Sequence, residues 1–188
     1  MIALAFFICG CEVAGGLVSG SLALLSDAAH VLIDILVMAV SLAVAYLVKR
    51  NNQLEIIIRG WGGRISGFLF IVLAGLIANE AVLRFWQSPV IAGWLMTSVA
   101  FLGMLGNFWQ RTILRKAEEK HHDTHQAVSL HVYFDFLQSG IVVAGGLVIL
   151  FTSWFWLDQV LSFLIAFIIG GCGVYFITKG FSNHHRPA

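Results

Sequence analysis

The chain has 188 residues, of which 59% are hydrophobic and 11% are charged, and its mean hydropathy is +0.89. This composition excludes an ordinary soluble globular domain and indicates a membrane protein. The net charge is only +1 with neutral histidines, and no basic tract of the nucleic-acid type is present. We therefore expect the lipid bilayer as the surroundings of the chain and no nucleic acid among its partners.

Six apolar runs follow one another, each close to the roughly 20 residues that a helix needs to cross a bilayer. They use nearly all of the sequence, so the pattern predicts an all-α, polytopic membrane protein with six transmembrane helices. We assign residues 1–179 to this six-helix transmembrane domain and residues 180–188 to a short cytoplasmic tail. The predicted spans are Ile2–Val18, Leu22–Val48, Ile65–Trp86, Val90–Trp109, Val128–Phe151 and Val160–Ile177.

Basic residues concentrate on one side of this arrangement. They lie between spans two and three, between spans four and five, and after span six, for example at Lys49, Arg115 and Lys179. The positive-inside rule therefore predicts that both termini are cytoplasmic. Arg84 departs from the pattern, and we expect it to form a local ion pair with Glu80, four residues earlier.

Two polar pairs interrupt the apolar spans. In span two, the stretch LLSDAAHVLIDILVMAV holds His30 and Asp34, which project from one helix face because they are four residues apart. Span five repeats this spacing with His131 and Asp135. A charged group at the bilayer centre costs roughly 2.5 to 3.5 kcal/mol, which is a large penalty for packing alone. Facing pairs on two helices can converge on one point.

Two imidazoles and two carboxylates are typical of a four-coordinate divalent cation site, above all for zinc. The empty site carries a double negative charge, which one divalent ion neutralises. Imidazole binds metal only when neutral, so protons and zinc compete for the same groups. The pattern predicts a metal site, with an interhelical ionic cluster as the alternative, and its ligands are His30, Asp34, His131 and Asp135.

Other polar residues are accessory candidates. Glu12 and Asp27 either shape the outer entrance or the proton pathway, or lie hydrated at the outer interface. Asn107 and Ser139 are expected to hydrogen-bond between helices. The stretch EEKHHDTH between spans four and five either gathers metal ions or is a solvated loop, and its candidate residues are His121, His122, Asp123 and His125.

The sequence resembles the zinc-transporting cation diffusion facilitators over essentially its whole length. EVAGGLVSGSLALLSDAAHVLID is similar to their first two helices, and GWGGR, NEAVLRF, HVYFDFLQSG and WFWLDQVLSFLIAFII continue the likeness in order. Members carry a His-x-x-x-Asp on helices two and five, so the resemblance implies that the transported zinc is held by His30, Asp34, His131 and Asp135. It also implies zinc export in exchange for protons, by a homodimer, and we expect the inner membrane of a bacterium. The family usually continues into a cytoplasmic domain, whereas only GFSNHHRPA follows Lys179, so we expect the transmembrane domain alone.

Three alternatives stay open at this point. The same site would also suit another divalent metal, such as cadmium, cobalt, nickel or manganese. An integral membrane metalloenzyme with HHDTH as a histidine box would need more ligands at one depth than the chain offers. A chain without the usual soluble domain is also compatible with an inactive regulatory subunit. We expect a transporter and not an enzyme.

Overall fold

The computed structural model describes residues 2–50, 55–87, 89–118 and 126–182. Side chains are described from Phe6 onward, except at residues 55–57, 59, 110–111, 113–118, 126–135 and 179–182. Within these ranges the chain forms six helices, which confirms the predicted all-α fold. They are α1 (Ile2–Ser19), α2 (Leu22–Arg50), α3 (Glu55–Gln87), α4 (Gly93–Glu118), α5 (Gln126–Thr152) and α6 (Trp156–Ser182).

The helices are longer than the apolar runs that predicted them. α3 reaches back at least to Glu55, well before the predicted start at Ile65, and α4 continues at least to Glu118, well past Trp109. An apolar run marks the part of a helix that lies in lipid. The helix itself can extend further, into stretches with charged residues, because each added residue gains a backbone hydrogen bond. The predicted spans therefore correspond to the apolar middle of each helix.

Three helical segments in the described part of the chain are long and apolar enough to cross a membrane. They are Leu22–Arg50, Gly60–Gln87 and Trp156–Thr178. Two others are apolar over shorter stretches, Phe6–Ser19 and Phe136–Thr152. Together these lengths and compositions support an integral membrane protein.

Two groups of helices make up the bundle. α1 packs against α2 and α4, and α4 packs against α5, while α3 and α6 form a closely packed pair. α2 lies between the two groups and contacts α3, α5 and α6 as well as α1. Successive helices alternate in direction, so the starts of α2, α4 and α6 lie at one end. We call this the Asp158 end, and the opposite end, where α2 finishes, the Arg50 end.

Glycines allow α3 and α6 to approach closely. A Cβ atom at Gly67 would lie 2.6 Å from the carbonyl oxygen of Gly173, and one at Gly173 would lie 2.8 Å from the carbonyl oxygen of Gly67. Side chains larger than hydrogen would overlap the facing backbone at both positions. Small residues serve this purpose widely in membrane helices, because they let two backbones pack against each other.

Tryptophans mark both ends of the bundle. Exposed aromatic side chains of this kind favour the boundary between lipid and water, where the ring is in an apolar layer and its N–H reaches water. The exposed tryptophans are Trp86, Trp94, Trp154 and Trp156 toward the Asp158 end, and Trp61 and Trp109 toward the Arg50 end. Their positions agree with helices that cross a bilayer between the two ends.

Candidate metal site

The first predicted pair lies in the interior of the bundle. His30 is buried, and its Nε2 atom lies 3.5 Å from Oδ2 of Asp34, one turn further along α2. Phe70 of α3 packs against the imidazole with 5.9 Å between ring centroids. Phe70 is itself stacked on Phe176 of α6, at 5.8 Å between centroids. The α3–α6 pair therefore restricts the orientation of the histidine ring.

The second predicted pair belongs to the first half of α5. The structure describes the helix through His131 and Asp135, but their side chains lie outside the described residues. Among the side chains that are described, no group of three or more His, Cys, Asp or Glu residues is arranged to hold a metal ion. The four-ligand site therefore stays a prediction, and its described half is the pair on α2.

Asp27 is the centre of a buried hydrogen-bond network. Its Oδ1 accepts a hydrogen bond from Nε2 of Gln138 at 2.8 Å, and its Oδ2 accepts one from Oγ of Ser139 at 3.0 Å. Nδ2 of Asn107 in turn donates to Oγ of Ser139 at 3.0 Å. The network thus joins α2, α5 and α4, and the predicted bond between Asn107 and Ser139 is confirmed. The sequence did not single out Gln138.

The two acidic accessory candidates are both buried inside the bundle, where the sequence left a hydrated interfacial position open. Asp27 is 2% exposed and Glu12 is 0% exposed. The carboxylate of Glu12 lies directly against Gly103 of α4, so that a Cβ atom there would overlap it. Glu12 therefore belongs to the contact between α1 and α4.

The remaining predicted polar residues divide into one confirmed pair and one untested group. Nε of Arg84 donates to Oε1 of Glu80 at 2.8 Å, as expected for an ion pair one turn apart. Nη1 of Arg84 also donates to the carbonyl oxygen of Gly20 at 2.9 Å, in the turn between α1 and α2. The loop candidates lie outside the described residues, and they are His121, His122, Asp123 and His125.

Asp158 is a buried acid that sequence reasoning missed. It lies in the first turn of α6 and is 0% exposed. Its carboxylate accepts hydrogen bonds from Ser21 Oγ at 2.6 Å and from the backbone N–H groups of Leu22 at 2.7 Å and Ala23 at 3.2 Å. An acid at a helix start predicts a cap for its own helix. No local signal indicates that Asp158 instead caps α2, more than a hundred residues away in the chain.

The chain matches the family described as Cation efflux transmembrane domain over residues 1–57 and 58–182. Zinc transporter ZitB of Pectobacterium atrosepticum is 33% identical over 163 residues, which are 84% of this chain and 51% of that protein. Metal cation efflux system protein CzcD of Cupriavidus metallidurans is 35% identical over 162 residues, 82% of this chain and 50% of that protein. A cadmium, cobalt and zinc/H(+)-K(+) antiporter of Bacillus velezensis is 29% identical over 178 residues, 89% of this chain and 55% of that protein.

The three relatives share two features that bear on this chain. All three names are those of transport proteins, which favours the expectation of a transporter over that of an enzyme. The likeness to the zinc-type cation diffusion facilitators is confirmed. The chain spans about half the length of the curated relatives that it matches.

Proposed function

Because the chain belongs to the cation efflux family, we propose that it is a secondary transporter that exports zinc from the cytoplasm in exchange for protons. The names of the relatives support a metal cation efflux transporter. We further propose zinc as the transported ion, protons as the counter-ion and a binding site between α2 and α5. The transported ion is bound by His30, Asp34, His131 and Asp135.

The observation that carries this proposal is the register of α2 against α5. Asp27 of α2 receives hydrogen bonds from Gln138 and Ser139 of α5, and the two helices run antiparallel. His30 lies three residues after Asp27 in the chain. Asp135 lies three residues before Gln138. Equal steps along antiparallel helices keep two residues at one level, here about 4.5 Å from the Asp27 hydrogen bonds.

The other two proposed ligands obey the same rule. Asp34 lies seven residues after Asp27, and His131 lies seven residues before Gln138. Seven residues are close to two helical turns, so each residue also returns to the same face of its helix, roughly 10 Å from the Asp27 hydrogen bonds. This register supports two levels, each with a histidine on one helix and an aspartate on the other, which suits a four-coordinate site.

The chemistry of these ligands gives the exchange mechanism. Two carboxylates and two neutral imidazoles neutralise one divalent ion, so that a loaded site is electrically balanced inside the membrane. When the site opens outward, protons compete with zinc for the imidazoles and release it. When the site opens inward, the less acidic cytoplasm allows zinc to bind again. One site with alternating access is therefore sufficient for antiport.

The orientation in the membrane follows from charge. Lys49 and Arg50 lie at the Arg50 end, so this end faces the cytoplasm by the positive-inside rule. The Asp158 end then faces outward, and both termini are cytoplasmic. The relatives are bacterial proteins, which supports the inner membrane of a bacterium as the location. A homodimer is the assembly that the family resemblance implies, and the molar mass of the detergent-solubilised protein tests it.

The decisive experiment measures zinc uptake into proteoliposomes with a zinc-sensitive dye and an imposed pH gradient. Asp34→Ala and Asp135→Ala should each abolish uptake, because a three-ligand site retains one uncompensated positive charge when zinc is bound. Ser41→Ala is the matched control on α2, since its exposed hydroxyl bonds the carbonyl oxygen of Val37 in its own helix. Normal uptake in both aspartate variants would refute the site. Uptake that is independent of the pH gradient would refute the exchange with protons but not the metal site.

Cobalt(II) tests the coordination without transport. A tetrahedral cobalt site absorbs visible light far more strongly than a six-coordinate one, and cobalt takes nitrogen and oxygen ligands as zinc does. We expect the solubilised protein to give the tetrahedral spectrum and His30→Ala to lose it.

Competition between zinc and cadmium in the uptake assay measures the metal selectivity. Cadmium is the metal to compare, because the name of the antiporter from Bacillus velezensis includes both. Preferred uptake of cadmium would show that cadmium, and not zinc, is the main substrate.

A further inference from the structure

The first turn of α2 is held by a side chain of another helix. Oγ of Ser21 donates to Oδ1 of Asp158 at 2.6 Å, and the backbone N–H of Leu22 donates to Oδ2 at 2.7 Å. The N–H of Ala23 donates to Oδ1 at 3.2 Å. The first N–H groups of a helix have no partner within it and carry the positive end of its dipole, so a carboxylate satisfies them well. We call these three hydrogen bonds the α2–α6 clamp.

The clamp joins α2 to the α3–α6 pair at the Asp158 end. At the same end, Nη1 of Arg84 on α3 donates to the carbonyl oxygen of Gly20, just before α2 begins. Gly20 has a φ of +75°, a conformation that favours glycine, so the turn presents this carbonyl to Arg84 at little strain. Both members of the pair therefore bind the beginning of α2. α3 and α6 are themselves in backbone contact at Gly67 and Gly173.

The hydrogen bonds of the clamp, between α2 and α6, are harder to break than those of Asp27, between α2 and α5. Two of the three clamp donors are backbone N–H groups, which cannot rotate away to another partner. Asp158 is fully buried, so breaking the clamp would leave a carboxylate and two N–H groups without partners inside the protein, at a high energetic cost. The donors to Asp27 are the side chains of Gln138 and Ser139. These can turn toward other groups when α2 and α5 separate.

We infer that Asp158 is a positioning residue for transport: it keeps the beginning of α2 fixed on α6 throughout the cycle. α2 then changes its tilt about this end, and the ligands His30 and Asp34 move while Leu22 does not. The separation that opens the site takes place between α2 and α5. This inference rests on the proposed function, because its subject is the movement that carries zinc.

The test replaces the clamp by a covalent link. The background protein carries serine in place of Cys9, Cys11 and Cys172, and the double variant adds Ser21→Cys and Asp158→Cys. Dibromobimane joins the two thiols and introduces no metal into the assay. Before linking, we expect the maximal rate of zinc uptake to fall at least about tenfold, because loss of one hydrogen bond to a charged group already corresponds to roughly that factor and the double variant removes all three clamp bonds. After linking, most of the background rate should return.

Two further measurements separate positioning from general stability. The zinc concentration that gives half-maximal uptake should be the same before and after linking, because the ligands are untouched and only the movement is affected. Ser21→Cys alone, treated with the same reagent, controls for modification of a single thiol.

If the double variant does not fold, Ser21→Ala replaces it, since it leaves both backbone hydrogen bonds of the clamp. A smaller fall in maximal rate with unchanged half-saturation is expected there.

The outcomes are distinct. A linked protein that binds zinc but does not move it would show that the ends of α2 and α6 must separate, and would overturn the inference. Uptake at the background rate before linking would overturn it as well, because the clamp would then be dispensable. Wild-type protein that moves no zinc in the same assay would refute the proposed function itself, and the inference with it.

Discussion

Replacing Asp27 by alanine should uncouple α2 from α5. The carboxylate accepts hydrogen bonds from Nε2 of Gln138 at 2.8 Å and from Oγ of Ser139 at 3.0 Å. Asp27 is 2% exposed, Gln138 4% and Ser139 0%. Water therefore cannot easily take the place of the lost acceptor, and the free energy of unfolding should fall.

The size of the effect follows from two ranges. A hydrogen bond to a charged group contributes about 1.5 to 3 kcal/mol in soluble proteins. Interhelical hydrogen bonds in membranes average roughly 0.6 kcal/mol, with a maximum near 1.7, because the unfolded chain in the membrane finds other partners. The Asp27 bonds are buried and go to a carboxyl group, so we expect about 1.5 kcal/mol of coupling between Asp27 and Ser139, near the upper end of the membrane range.

A double-mutant cycle measures this coupling. The free energies of unfolding of the wild type, Asp27→Ala, Ser139→Ala and the double variant are determined by reversible SDS titration. Ser26→Ala is the matched control, because that buried hydroxyl bonds the carbonyl oxygen of Leu22 within α2 and reaches no other helix among the described residues. Effects that add to within about 0.5 kcal/mol, as they do for distant sites, would refute the network as a link between helices.

Two other substitutions test the surroundings of the site. Gly67→Ala should cost about 1 to 3 kcal/mol in the same titration, because the new Cβ atom would press on the carbonyl oxygen of Gly173. Gly75→Ala on the same helix meets nothing within 4 Å and should be nearly neutral or stabilising, and equal effects would contradict the packing argument. Phe70→Ala should cost roughly 3 to 5 kcal/mol and weaken zinc binding, because it removes the ring that packs against His30. Unchanged zinc affinity by calorimetry would show that Phe70 does not hold the imidazole.

Hydropathy predicted the number and order of the helices well, because a membrane-spanning helix must be apolar over most of its length. It underestimated the extent of α3 and α4, which reach back at least to Glu55 and on at least to Glu118, through stretches that contain charged residues at the Arg50 end. Helix continuation there depends on backbone hydrogen bonds and not on lipid contact. The ends of an apolar run therefore do not give the ends of the helix that contains it.

The polar interior was only partly predictable for a related reason. His30 and Asp34 share a helix, so their proximity follows from spacing alone, and the same is true of Glu80 and Arg84. The partners of Asp27 and Asp158 lie more than a hundred residues away in the chain. A single sequence carries no distance information across such a gap, so these contacts depend on the tertiary structure.

Along α2, the hydrogen-bond partners of the polar groups become easier to exchange from the start of the helix onward, as expected for a helix that moves. At its start, backbone N–H groups are bound by Asp158, and neither donor can change its direction. One to two turns further, Asp27 is bound by side chains that can rotate. Beyond it, His30 and Asp34 are groups whose proposed partner is an ion that comes and goes. Freedom to exchange partners thus increases with distance from the clamp. A helix that pivots at one end needs this order, because displacement also increases with distance from the pivot.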